Sequence, residues 1–143
     1  MPDKTDKLAA LGQGDLFGHL DREALEKLAA IAEEIEIDKG TVLCEQGRVA
    51  QECWVVVSGE AEVAISGGHV IGAVGPGETI GEMGLLDHLP RSATVTARTP
   101  MVLLRVDAKR FVELLDASPL ARALLEILTR RIRDLEHGRA LVR

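Results

Sequence analysis

The sequence has almost no aromatic side chains and few cysteines. Its 143 residues include two Phe, one Trp and no Tyr, so aliphatic side chains must build the core and a binding site cannot rely on aromatic stacking. Cys44 and Cys53 have no His or Cys at metal-ligand spacing, which disfavours zinc and iron–sulfur sites. We predict no metal and favour two reduced core cysteines, although the sequence leaves a disulfide open.

Excess positive charge and long apolar segments are also lacking. The formal net charge of −6 argues against nucleic-acid binding by the domain as a whole, because such binding depends mainly on neutralising phosphates. No apolar run approaches the length of a membrane-spanning helix, and the N-terminus lacks the apolar stretch of a signal peptide. These absences predict a cytoplasmic protein without a membrane segment.

The length fits one compact domain. Residues 1–14 are polar and glycine-bearing and are predicted to form a flexible N-terminal segment, which leaves the domain over 15–143. Asp21 is a candidate N-cap for a first helix, followed by apolar residues at helical spacing. Two further helices are predicted over about 107–137, where Asp107 and Ser118-Pro119 supply start signals.

Between the first helix and the last two, the apolar period changes from that of a helix to that of strands. About eight short apolar stretches follow one another, and most are closed by Gly or Pro. Strands at this density, with glycine between them, are typical of a β-sandwich or barrel. The chain is therefore predicted to be mainly β with flanking helices.

Residues 81–97 carry a pattern suited to a ligand with both a hydroxyl and a phosphate. Glu82 and Arg91 lie nine positions apart, separated by a short apolar run and a proline. A carboxylate accepts a hydrogen bond from a sugar hydroxyl, and an arginine grips anionic oxygens with two parallel bonds. On spacing alone, Glu82 is equally well explained as a helix-starting glutamate, and Arg91 as an exposed residue after a turn.

This segment resembles the phosphate-binding cassette of cyclic nucleotide-binding domains, which occur in bacterial cAMP receptor-type regulators, cyclic-nucleotide-gated channels and kinase regulatory subunits. The cassette positions are filled without a gap by Gly81, Glu82, Pro90, Arg91, Ser92, Ala93, Thr94 and Val95. The resemblance extends over roughly residues 15–137. It implies an eight-stranded jelly-roll barrel (a double-stranded β-helix) with an N-terminal helix and two C-terminal helices.

The resemblance also implies a role for each cassette residue. Glu82 would accept the ribose 2′-hydroxyl, Arg91 would anchor the cyclic phosphate, and the Ser92 hydroxyl would contact the phosphate or the purine. Backbone amides would add phosphate contacts at Gly81, Met83 and Ala93.

Candidates for the base end of the site are less specific. Val70, Ile71 and Ile80 would line the apolar base pocket, although each is equally a core residue. In this family the last helix covers the base, which makes Arg131 and His137 candidates, although a solvated helix face explains either of them better.

The resemblance predicts a sensory module that binds cAMP or cGMP, needs no other cofactor, and converts binding into movement of its C-terminal helices. The alternative is a structural or dimerisation domain of the same fold with little nucleotide affinity. No nucleophile–base or metal constellation supports an enzyme, and no helix-turn-helix follows the last helix to bind DNA. The preferred nucleotide, the effector and whether the chain is a full-length protein stay open.

Homodimerisation is a further expectation. The predicted last helix repeats apolar residues at spacings of three, four and three, a coiled-coil-like seam that suits a second copy of the chain. The seam consists of Leu125, Leu128, Ile132 and Leu135.

Overall fold

The computed structural model describes residues 6–15, 17–82 and 90–117, together with 122, 126 and 130. Within these residues the chain forms eight strands and three α-helices. The helices are α1 (Lys7–Gly12), α2 (Arg22–Ile31) and α3 (Ala108–Asp116). The strands are β1 (Glu33–Ile37), β2 (Val42–Cys44), β3 (Glu52–Ser58), β4 (Ala61–Ile65), β5 (His69–Val74), β6 (Thr79–Ile80), β7 (Thr94–Ala97) and β8 (Met101–Asp107).

The strands form two four-stranded antiparallel sheets. The first has the order β1-β8-β3-β6 and the second the order β2-β7-β4-β5. The mainly β architecture with eight strands is therefore confirmed. Closure into a barrel is not, because no strand pairing joins the two sheets among the described residues.

Two apolar clusters arise from the alternation of side chains along the central strand β3. Cys53 and Val55 point towards the helices, whereas Trp54 and Val56 point into the space between the sheets. On the helix side, the rings of Phe17 and the α3 residue Phe111 meet edge to face at 5.7 Å. The few aromatic residues therefore divide between the two clusters, and the single tryptophan belongs to the cluster between the sheets.

Carboxylate caps start the helices as the sequence indicates. The Asp21 side chain accepts a hydrogen bond of 2.8 Å from the Ala24 backbone N–H at the start of α2. Asp107 accepts one of 3.1 Å from the Arg110 backbone N–H at the start of α3. Each cap satisfies a backbone donor that the first helical turn leaves without an intrahelical partner.

The prediction of a flexible segment over residues 1–14 did not anticipate helix α1. Leu11 of this helix is fully buried in the helix-side cluster. The chain after α1 is fixed to the strand before the cassette, because the Thr79 hydroxyl donates a 2.8 Å hydrogen bond to Asp15. Asp15 also donates its backbone N–H to the Gly77 carbonyl at 3.0 Å. Asp15 therefore ties the chain after α1 to β6 and to the turn before it.

After α3, Arg122, Glu126 and Arg130 have helical backbone conformation. Arg122 forms ion pairs with Asp116 and, at 3.1 Å, with Glu126. The other residues of the predicted last helix lie outside the described residues, including the whole proposed dimer seam. Among the helices of the described residues, none is long and apolar enough to cross a membrane.

Two glycines with the same backbone conformation provide a matched test of the packing at the β3–β4 turn. Gly59 and Gly40 both have φ of +91°. A Cβ on Gly59 would collide with the Pro100 carbonyl oxygen and lie 2.8 Å from Met101 Cγ, whereas one on Gly40 meets nothing within 4 Å. Gly40→Ala should therefore lower the unfolding free energy only by the cost of placing a side chain on a left-handed backbone, roughly 1–2 kcal/mol. Gly59→Ala should cost about 1–3 kcal/mol more through overpacking.

Urea denaturation of both variants measures this difference directly. Equal losses of unfolding free energy in the two variants would show that Pro100 and Met101 move aside and that the close approach at Gly59 is not needed.

Candidate functional site

The predicted cassette begins where β6 ends. Gly81 has φ of +81°, a conformation that side-chain-bearing residues adopt only under strain. Glu82 has helical backbone conformation and is 3% exposed. Met83 and the rest of the cassette before Pro90 lie outside the described residues.

The other end of the cassette is held by the turn between β2 and β3. Arg91 donates its backbone N–H to the Arg48 carbonyl at 2.7 Å, and its own carbonyl accepts from Gly47 at 2.8 Å. Pro90 forms an isolated bridge to Val49. These contacts fix the backbone of Arg91 before β7 begins, so that its side chain starts from a defined position.

The Arg91 side chain turns inward and is 8% exposed. Its Nη1 donates a 2.5 Å hydrogen bond to the Gly81 carbonyl, and its Nη2 donates to the Glu52 carbonyl. The guanidinium carbon lies 5.6 Å from the centre of the Trp54 ring. One side chain thus connects both ends of the cassette to β3.

The contact with Arg91 is a second reason why position 81 requires a glycine. A Cβ at Gly81 would collide with the Arg91 guanidinium. The glycine therefore provides both the positive φ and the space into which the guanidinium packs.

Four of the residues predicted for the site meet around one small cavity between the sheets. Its volume is about 10 Å³. Ile80, Gly81, Arg91 and Ala93 are the predicted residues that line it. Of the other candidates, Ser92 is half-buried but is not among the lining residues, and Val70 is 47% exposed on β5. Ile71 packs against the cluster between the sheets.

Arg131 and His137, the candidates for contact with the base, lie outside the described residues. Arg91 also lines a larger cleft of about 730 Å³. It is lined by β2, by the β2–β3 turn, and by Glu52 and Trp54 on β3.

Trp54 and Glu52 were not predicted from the sequence to belong to the site. The alternation of β3 would have assigned Trp54 to one face of its sheet. Which face of the sheet lies next to the cassette depends on the pairing between β3 and β6, in which Trp54 lies opposite Ile80. The sequence alone does not reveal this pairing.

Charges of both signs act on the two buried thiols beside the site. Burial raises the pKa of Cys44 to about 11; the positive charge of Arg91 opposes this shift, and Glu82 adds to it. Burial also raises the pKa of Cys53, with the same opposite contributions from Glu82 and Arg91. Glu82 and Arg91 therefore act on the same region of the interior. Both cysteines are free and buried, and the described residues hold no cluster of three or more side chains suited to a metal ion.

The raised pKa of Cys44 predicts a loss of stability in alkali. The unfolded thiol ionises near its ordinary value of 9.0, whereas the folded one stays protonated to about 11. Its contribution to stability is fully present below pH 9 and declines as the pH rises towards 11. The unfolding free energy, measured by urea denaturation from pH 7 to 10.5, should fall less steeply in Cys44→Ala than in the unsubstituted chain. Parallel pH profiles would contradict this assignment.

The sequence profile of the cyclic nucleotide-binding domain matches residues 34–118, more than half of the chain. The chain therefore belongs to the cyclic nucleotide-binding domain family. The match begins in β1 and ends just after α3, and so includes both sheets and the cassette.

Two relatives show the range of proteins that carry similar domains. The chain is 32% identical over 131 residues to an uncharacterized NTE family protein of Mycobacterium tuberculosis, which covers 91% of this chain and 22% of that protein. It is 36% identical over 100 residues to the cAMP-dependent protein kinase regulatory subunit of Yarrowia lipolytica, covering 70% of this chain and 26% of that one. The chain thus spans about a quarter or less of these relatives.

A solved structure has the same fold. This is the co-crystal structure of the regulatory domain of Toxoplasma gondii PKA with cAMP, which matches with a TM-score of 0.71 and 30% sequence identity. The superposition covers 78% of this chain and 46% of that one.

Proposed function

We propose that this domain is a regulatory module that binds a cyclic nucleotide between Glu82 and Arg91. The observation that carries the proposal is the hydrogen bond from Arg91 Nη1 to the Gly81 carbonyl, 2.5 Å long. It joins the cationic end of the cassette to the residue that precedes the buried carboxylate. A phosphate-binding group and a hydroxyl-binding group are thereby held side by side at the edge of the core.

The chemistry of the two side chains suits the two ends of a ribose cyclic phosphate. A guanidinium has five N–H donors, more than its two backbone carbonyl partners use, and presents them in a planar fork that fits phosphate oxygens. The Glu82 carboxylate would accept the 2′-hydroxyl, and its burial strengthens such a bond. The proposed site also includes the Ser92 hydroxyl and the backbone amides of Gly81, Met83 and Ala93.

The relatives favour cAMP as the first nucleotide to test. The Toxoplasma gondii domain was crystallised with cAMP, and the Yarrowia lipolytica relative is a cAMP-dependent kinase subunit. The base pocket is proposed to involve Val70, Ile71 and Ile80, with Arg131 or His137 from the last helix.

We further propose that nucleotide binding shifts the arrangement of the cassette and the C-terminal helices, which is how the signal would leave the domain. The domain is proposed to act in the cytoplasm, without catalytic activity of its own, and to dimerise through its last helix. The strand orders of the two sheets support the jelly-roll assignment made from the resemblance.

The first test removes the phosphate-binding group. Arg91→Ala should weaken cAMP binding by ~2–5 kcal/mol, because the phosphate would lose its charged partner. Isothermal titration calorimetry with cAMP and with cGMP measures the effect. Arg98→Ala is the matched control, since Arg98 follows the far end of β7 and pairs with Glu60 at 2.7 Å. Unchanged affinity in Arg91→Ala would refute the proposed phosphate site.

The second test examines the hydroxyl-binding group through the ligand. The unsubstituted domain should bind 2′-deoxy-cAMP about 10- to 100-fold more weakly than cAMP, since a hydrogen bond to a charged group contributes roughly 1.5–3 kcal/mol. In Glu82→Ala the two ligands should bind alike. Discrimination that persists in Glu82→Ala would assign the 2′-hydroxyl to another residue.

A thermal shift screen separates this proposal from the structural alternative. A ligand that binds the folded state raises the melting temperature as its concentration increases. If neither cAMP nor cGMP stabilises the domain, the fold serves a structural or dimerising role instead.

A further inference from the structure

We propose that Trp54 is a positioning residue that holds the Arg91 guanidinium in place for the phosphate. This inference rests on the proposed function. It assigns a binding role to a side chain that the cassette pattern does not contain, on a strand that the cassette does not include.

The position of Trp54 follows from the pairing of β3. Trp54 lies opposite Ile80, the last residue of β6, and Gly81 follows immediately. Two residues before Trp54, the Glu52 carbonyl accepts the hydrogen bond from Arg91 Nη2. The same stretch of β3 therefore offers Arg91 a carbonyl and an aromatic face.

The contact has the geometry of a cation–π interaction. The guanidinium carbon lies 5.6 Å from the ring centre, within the distance at which a cation is attracted to an indole face. Trp54 is 3% exposed and Arg91 is 8% exposed, so water screens this attraction little. A free arginine side chain has considerable rotamer entropy, and a planar partner reduces what remains to be lost when the phosphate binds.

If Trp54 only filled the core, a tryptophan would be energetically unfavourable at this position. Its Nε1–H is buried and has no hydrogen-bond partner among the described residues. A buried donor without a partner costs free energy that a phenylalanine at the same position would not. The indole face, which binds cations better than a phenyl face, gives the tryptophan a purpose beyond filling space.

If Trp54 positions Arg91, the effects of substituting the two residues should be coupled; if Trp54 only fills the core, they should not. If Trp54 acts through the guanidinium, Trp54→Leu should weaken cAMP binding about five- to thirty-fold in the otherwise unsubstituted domain. In an Arg91→Gln background, where the cation is absent, the same substitution should change affinity less than two-fold. If Trp54 only supports the core, its loss should weaken binding equally in both backgrounds.

Calorimetry on the four proteins of this double-mutant cycle gives the coupling directly. Val56→Ala is the control for general loosening, because Val56 lies on the same strand, belongs to the same cluster and is 2% exposed. It should lose stability without losing cAMP affinity. Trp54→Phe should have an affinity between those of the unsubstituted domain and Trp54→Leu, since a phenyl face binds a cation more weakly than an indole face.

The fluorescence of Trp54 gives a second measurement that needs no substitution. The chain has a single tryptophan, so a change in emission on adding cAMP comes from the surroundings of this ring. We expect a saturable change whose midpoint matches calorimetry. Constant emission at saturating cAMP, or equal effects of Trp54→Leu in both backgrounds, would overturn the positioning role. If the unsubstituted domain shows no calorimetric binding, the proposed function itself fails.

Discussion

The candidate site depends on the groups that accept hydrogen bonds from the buried guanidinium of Arg91 and pack against it. Moving a cation into the interior is unfavourable unless its donors find partners. Arg91 meets this requirement with the Gly81 and Glu52 carbonyls and with the face of Trp54. Glu52 and Trp54 belong to β3, far from Arg91 in sequence, whereas Gly81 lies ten residues before it. The side chain therefore links the end of β6, the start of β3 and the start of β7, and the two sheets must be assembled before it can be accommodated.

This requirement explains features elsewhere in the fold. The positive φ of Gly81 and its missing Cβ make room for the guanidinium. The hydrogen bond from Thr79 to Asp15 secures β6 just before that glycine. Asp15, which lies outside the matched residues 34–118, therefore supports the strand that leads into the cassette.

The sequence predicted the elements of this fold better than their arrangement. The caps at Asp21 and Asp107 and the glycine-separated strands were recognisable because their causes are local: a carboxylate before a helix, or a left-handed turn. Helix α1 was missed because it has only six residues, too few to show a convincing period. Its stability comes from the burial of Leu11, which is a tertiary contact.

The candidate site likewise combines residues that the sequence predicts with residues that only the tertiary structure brings together. The contiguous cassette pattern predicted Gly81, Glu82 and Arg91, and the structure brings the glycine and the arginine into direct contact. Trp54 and the Glu52 carbonyl could not be predicted, since they reach Arg91 only through the pairing of β3 with β6. Backbone carbonyls are especially hard to predict as partners, because every residue has one and only the three-dimensional path of the chain selects among them.

The electrostatic setting of the site bears on the proposed response of this domain to a ligand. Glu82 and Arg91 contribute with opposite sign at the same two buried thiols, so both charges are felt in one poorly screened region. A cyclic phosphate would bring a negative charge to that region, and the guanidinium would then divide its donors between phosphate oxygens and the carbonyls of β3 and β6. Because those carbonyls belong to the core strands, any redistribution of these bonds acts on the sheets and not on a surface loop alone. A buried arginine that is held by the backbone is thus suited to transmit the presence of an anion into the fold.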